Sequence, residues 1–295
     1  MIAMRAQAID TVADLFEHDP RVAVVLAEIS VERFAPVFAH DPSRAVNVGI
    51  MEQTMVGVAA GYALEGFHPV IHTITPFIAE RALEQLKLDF GNQELGVLVI
   101  GVGGSYDYGS EGTTHHSPGD VQALLTIPAT QVLVPGAAAE ADGLVRDTYA
   151  NDRITYLRTQ IVANREARPV EPGRLLVERR GSRATVIAVG PMLDRTLAAT
   201  ADMDVTVLYA TTLNPFDADT LSRELAGDDV VVVEPFFAGT LAGPVSEALR
   251  DRPTRLHFVG VPRVVIRDYG TPQQLDHVLG LDAAGIHRRI ASAIS

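Results

Sequence analysis

Three segments of the chain concentrate side chains able to move protons or hold a ligand. In Asn47-Val-Gly-Ile-Met-Glu52-Gln53-Thr-Met-Val-Gly57 a glycine-bearing loop delivers a carboxylate to the start of a helix. The helix dipole alone favours a glutamate there. The residues that follow, Val56 to Gly61, are all small or apolar, so the helix is expected to be buried and the carboxylate to be poorly solvated and in need of a partner. The second segment, His72-Thr-Ile-Thr-Pro-Phe77-Ile-Ala-Glu80-Arg81, reads as a strand end, a turn and a helix. It places Phe77 where open parallel sheets build their ligand crevice. Ordinary packing of Phe77 and a solvated Arg81–Glu84 or Arg81–Glu80 pair would explain the same letters. The third, Ser105-Tyr-Asp107-Tyr-Gly-Ser-Glu111-Gly-Thr-Thr-His115-His116-Ser-Pro-Gly-Asp120, gathers imidazoles, carboxylates, phenols and hydroxyls in one glycine-rich loop after a strand. Imidazole is the side chain best matched to proton transfer near neutrality.

Other chemistries lack their residues. Zero cysteines exclude disulfides, thiolate metal sites and thiol nucleophiles. Adjacent His115 and His116 lack the i, i+3 or i+4 spacing of helical metal ligands, so no metal site is expected from this chain alone. Glycines 101, 103 and 104 follow a strand but miss the G-x-G-x-x-G spacing, and no G-x-x-x-x-G-K-[ST] is present. A net charge of −13 without a long Lys/Arg run argues against nucleic acid or anionic membranes as partners. The first residues lack the pattern of a secretory signal, and the apolar runs fall far short of the ~20 residues of a membrane helix, so a cytoplasmic protein is expected.

The elements that must position these groups alternate. Runs at Val22–Ala27, Val70–Thr73, Val97–Val102, Gln131–Val134, Thr185–Val189, Val205–Tyr209, Val230–Val233 and Leu256–Val259 are apolar on both faces, as buried parallel strands require. Helices are expected over Ala6–His18, about Glu52–Glu65 and about Ala79–Phe90, the last two ending at Gly66 and Gly91. The stretch around 164–180, rich in Arg, Pro and Gly, reads as a linker. The expectation is an α/β protein of two three-layer domains with mostly parallel sheets, over residues 1–170 and 171–295.

Taken together, GIMEQ at 49–53, the TPF turn before ERALEQLKLDF, EGTTHH at 111–116, IPATQVLVPG at 127–136 and the closing GTPQQLDHVLGLDAAGI resemble the transketolase family, which uses thiamine diphosphate. The resemblance covers the pyrimidine-binding and C-terminal domains. The Gly-Asp-Gly motif by which such enzymes grip the diphosphate through Mg²⁺ occurs nowhere in the chain, so it resembles the C-terminal section of a split transketolase. The resemblance implies a two-carbon ketol transfer from a ketose to an aldose, sugars or sugar phosphates. It implies thiamine diphosphate and Mg²⁺, the ion held mainly by a diphosphate-binding partner subunit, with homodimerisation inside an α2β2 assembly. Glu52 takes the position that hydrogen-bonds N1′ of the aminopyrimidine, Phe77 or Ile78 the position that stacks on it, and Glu28 that of an acidic residue near the cofactor. His115, with His116 as a second proton carrier, matches the histidine facing the donor oxygens. Arg5 and Arg158 fall near positions that read a sugar phosphate, and His72, Arg81, Asp107 and Glu111 are further candidates for holding substrate. The related reading is the β subunit of a 2-oxoacid dehydrogenase, which has the same two domains; a non-catalytic scaffold of this fold is the other alternative.

Overall fold

The computed structural model describes residues 3–295. Among them twelve strands run in chain order: β1 Val22–Leu26, β2 Ala45–Asn47, β3 His68–Ile74, β4 Val97–Val102, β5 Gln131–Leu133, β6 Ile154–Thr159, β7 Leu175–Arg179, β8 Ala184–Val189, β9 Val205–Ala210, β10 Thr212–Asn214, β11 Asp229–Phe237 and β12 Arg255–Val261. They form a seven-stranded sheet, order β10-β5-β6-β4-β3-β1-β2, and a five-stranded sheet, order β12-β11-β8-β9-β7. Pairing is parallel except where β10 meets β5 and β7 meets β9.

Both faces of each sheet are covered, and the alternation of side chains along a strand decides which layer each enters. In the first sheet Val24, Leu26, Leu98 and Ile100 pack with Ala8, Val12 and Phe16 of helix Met4–His18 and Leu144 of helix Ala138–Thr148. Val25, Ile71, Val97 and Val99 point the other way, onto Met55, Val56 and Ala59 of helix Glu52–Leu64 and onto Ile78, Leu86 and Phe90. In the second sheet Ile187, Leu208, Val230 and Val232 join that same cluster, while Val186, Val207, Val231 and Val233 pack with Ile286 and Ile290 of helix Ala283–Ala293.

The structure departs from the sequence expectation in three places. The arginine-rich stretch near 164–180 contains β7, an antiparallel strand whose Arg179 donates to the carbonyl of Thr200; its charged residues suit a sheet edge. β10 belongs by chain position to the second half, yet it pairs at the edge of the first sheet. The expected helix at 79–90 is instead two π-helical segments, Phe77–Arg81 and Leu86–Gly91, flanking one short α turn. Such segments often mark functional sites, because the extra residue re-aims the side chains around it.

Candidate active site

The carboxyl ends of neighbouring strands β6, β4, β3 and β1 all open on one side of the first sheet, and most of the candidate residues follow those ends. Glu52 opens its helix from the loop after β2 and is 1% exposed. One carboxylate oxygen accepts from Thr73 Oγ1 at 3.0 Å, and the other accepts from Arg81 Nη1 at 2.7 Å. Successive residues of a strand point to opposite faces, so Thr73 of β3 reaches Glu52 while His72 cannot. Arg81 retains 39% side-chain exposure and lays its guanidinium 4.2 Å over the ring of Phe77. Phe77 in turn meets His115 edge to face, ring centroids 5.3 Å apart, and Tyr108 also meets the imidazole edge to face, at 6.1 Å. A contiguous wall thus runs Thr73, Glu52, Arg81, Phe77, His115, Tyr108. It combines a buried carboxylate, a half-open aromatic face and an imidazole within reach of one another.

The remaining sequence candidates divide. His115 closes a 3₁₀ turn, Gly112–His115, with Nδ1 3.0 Å from Thr114 Oγ1. His116 points into the protein, and both its ring nitrogens are buried without a hydrogen-bond partner. Burial, reinforced by the neighbouring imidazole of His115, pulls its pKa down. Ile78 is fully buried, so of the two candidates for a stacking ring only Phe77 presents a face. Glu28 is exposed in the left-handed region, φ +70°, locked to Asn47 by a donated backbone N–H at 3.1 Å and an accepted bond from Nδ2 at 2.9 Å. His72 is buried between the Ile100 carbonyl, 2.9 Å from Nδ1, and Ser30 Oγ, 2.9 Å from Nε2; burial pulls its pKa down to about 4. Arg5 lies behind the same serine, donating from Nε at 3.0 Å. Glu111 is exposed at the loop surface.

Two expected substrate ligands are corrected. Arg158 has no exposed surface: its donors go to Asp120 at 2.6 Å, to Ser105 Oγ at 2.7 Å and to Gln160. Asp107 is buried beneath it, accepting from the Ile161 amide at 2.7 Å, and burial pushes its carboxyl up to about 7. Both face the protein interior rather than solvent, and their bonds to Asp120, Ser105, Gln160 and Ile161 brace the loop from within. Sequence reasoning missed Thr73 as partner of Glu52 and Tyr108 as partner of His115. The alternation along HTITPF carries the first signal; the second has none, since only the folded loop brings the rings together. Among the described residues no group of three or more His, Asp or Glu side chains gathers to hold a metal ion, and no helix is long and apolar enough to cross a membrane.

Two mostly parallel sheets flanked by helices, with a buried carboxylate and an aromatic face at adjoining carboxyl strand ends, define an α/β fold of the class that builds ligand crevices there. Residues 1–161 match the transketolase pyrimidine-binding domain and residues 173–286 the transketolase C-terminal domain. The chain belongs to the transketolase family, whose members depend on thiamine diphosphate. It is 42% identical over 286 residues to a 33.6 kDa protein of the fasciation locus of Rhodococcoides fascians, covering 96% of this chain and 92% of that one. Over 299 residues it is 27% identical to one subunit of the apulose-4-phosphate transketolase of Phocaeicola vulgatus, covering 97% and 96%. It is 32% identical to 1-deoxy-D-xylulose-5-phosphate synthase of Alkalilimnicola ehrlichii but spans only 45% of that protein's length. The solved structure of a split-gene transketolase described as an inactive β4 tetramer superposes with TM-score 0.88 at 28% identity, covering 100% of this chain and 99% of that one.

Proposed function

We propose that this chain is the β-type subunit of a split, cytoplasmic transketolase that moves a two-carbon ketol unit from a ketose to an aldose, as free sugars or phosphates. A partner subunit holds the diphosphate and Mg²⁺, and two copies of each chain form the working assembly. The observation that carries this reading is the contiguous contact of Glu52, Arg81, Phe77 and His115. The residues fit an aminopyrimidine: a buried carboxylate offers a hydrogen bond to a ring nitrogen, and a half-exposed phenyl face offers a stacking surface. Thiamine diphosphate, when bound, supplies the nucleophilic carbon that the protein's own side chains lack.

The protein's part is orientation and proton traffic. Glu52, aimed by Thr73 and Arg81, holds and shares a proton at the ring nitrogen. His115 faces the space beyond Phe77, where it takes and returns protons at the donor hydroxyl and carbonyl oxygens. His116 is turned inward, so one imidazole does this work. Support for a partner chain comes from the surface beside the site. Ile50 is 70% exposed and Met51 54%, and Gly57 and Gly61 share an open face on the helix that begins at Glu52. That surface mixes apolar Ile50 and Met51 with Gln53 and Thr54, and its glycines leave it smooth enough for another chain to cover.

Glu52→Gln tests the reading in the complex reconstituted with the diphosphate-binding subunit. The amide fills the same space but cannot share the proton, so exchange of the cofactor's C2 proton is expected to fall by about 10²-fold or more, with the melting temperature close to wild type. Unchanged exchange makes Glu52 a helix-start residue and removes the basis of the proposal.

A further inference from the structure

We propose, building on the ketol-transfer reading, that the second half of the chain sets the position of His115, through a clamp in which Asp276 and Arg195 hold Tyr106. The loop that carries His115 leaves β4 and returns through a bridge between Ser105 and Ser117. Its ties to the first half are the Asp107 bond to the Ile161 amide, Tyr108 beside Arg5, the His115–Phe77 ring contact, the bond from Arg158 to Ser105 Oγ and that from Ser117 Oγ to Glu80. The second half holds it at several points on the approach to His115 and just after it. Tyr106 donates to Asp276 Oδ1 at 2.7 Å, and Thr113 Oγ1 donates to the Ile266 carbonyl at 3.0 Å. The Gly270 amide donates to the Gly109 carbonyl at 3.2 Å, and the Phe237 amide to the Pro118 carbonyl at 2.9 Å. Ser105 Oγ donates to the carbonyl of Pro235.

Shape agrees with the hydrogen bonds. A Cβ on Gly109 would lie 2.3 Å from the Gly270 carbonyl oxygen, and one on Gly112 would lie 2.6 Å from the ring of Tyr269. Both glycines therefore sit where the loop is pressed against the segment after β12. Asp276 is the fixed point of the arrangement. It is buried, and Arg195 grips it from the opposite side with two bonds, 2.8 Å to Oδ1 and 2.6 Å to Oδ2. The phenol of Tyr106 thus donates to an acceptor held in place by the Arg195 guanidinium, the stronger kind of hydrogen bond. Asp276 touches no reacting group; it is a positioning residue acting through Tyr106 on the loop.

The test uses Asp276→Asn and Tyr106→Phe, each nearly isosteric, in the complex with the diphosphate-binding subunit. Displacing a reacting group by about 1 Å can cost up to about 10²-fold. Donor cleavage is therefore expected to fall by about 10- to 10²-fold while C2 proton exchange, which depends on Glu52, stays within about twofold. Against a His115→Ala background, Asp276→Asn should have no further effect on donor cleavage, because the group it positions is gone. Equal losses in both backgrounds, or C2 exchange falling in step with cleavage, overturn the proposal. A second measurement does not depend on activity: in the isolated chain, hydrogen exchange of amides 106–116 should accelerate in Asp276→Asn while β8 and β9 keep their protection. Unchanged protection of the loop overturns the clamp. A wild-type complex with neither exchange nor cleavage refutes the ketol-transfer reading instead, and the clamp is then judged by hydrogen exchange.

Discussion

Arg158 and Arg81 each pair with a buried carboxylate at nearly the same distance, 2.6 Å to Asp120 and 2.7 Å to Glu52, the first near the end of β6 and the second in the π-helical segment that follows β3 of the same sheet. What differs is what is left over. Arg158 and Asp120 are both 0% exposed, and the guanidinium spends its remaining donors on Ser105 and Gln160. Arg81 is open to solvent on one side and lies on an aromatic ring. An ion pair sealed in the interior supports a loop; one with a free face next to a stacking surface can receive a ligand. A pairing distance alone does not separate the two.

The largest test of this contrast is removal of each arginine. Arg158→Leu strands Asp120 in the interior, and breaking a buried pair in this way costs about 3–5 kcal/mol, read as a lower urea midpoint. Arg81→Leu also leaves a buried carboxylate, Glu52, but one that keeps the Thr73 hydroxyl and whose lost partner was itself 39% exposed, so it should lower the midpoint by less than Arg158→Leu and should in addition slow C2 proton exchange. A normally stable Arg158→Leu protein with weakened sugar-phosphate binding would reverse the assignment. A slightly smaller effect separates the neighbours Phe77 and Ile78. Ile78→Ala empties a core position at about 2–5 kcal/mol, whereas Phe77→Ala should lower cofactor affinity with little change in melting temperature. If the two costs are interchanged, the register of the π-helical turn is off by one.

The smallest effect concerns pH. Burial raises Asp107 from 3.8 to about 7, so its neutral form is favoured in the folded protein. Its contribution to stability is complete below the unfolded value and is lost as pH rises through about 7. His72 has the opposite sign: lowered to about 4 from 6.5, it favours the fold above 6.5 and opposes it as pH falls towards 4. Asp107→Asn should therefore lose less melting temperature than wild type between pH 5 and 8. An identical slope would mean that Asp107 is ionised in the folded interior.

Strands apolar on both faces announced themselves, because a doubly covered parallel sheet demands such runs. β6 did not: its sequence ITYLRT carries an arginine whose counter-ion, Asp120, lies 38 residues away, and no local pattern reveals that pairing. β7 and β10 are short antiparallel strands with mixed sequences, so they resembled loops. The places of Glu52, Phe77 and His115 in the fold were readable because each follows a turn at a strand end or helix start. Tyr106 and Asp276 were not, since a bond across 170 residues leaves no trace in spacing.

The strand Thr212–Asn214, lent by the second half to the first sheet, bears on how this chain can be divided. One apolar cluster runs without a break from Val25 and Ile71 through Val134 and Leu213 to Ile187 and Leu208. Severing the chain in its arginine-rich stretch would leave the amino-terminal fragment with β5 unpaired on one side, a raw strand edge of the kind that drives self-association. The two halves are thus not interchangeable modules. Any recombination that swaps one half between relatives must carry over a compatible partner for Gln131–Leu133, which ties the inheritance of the pyrimidine side to that of its neighbour.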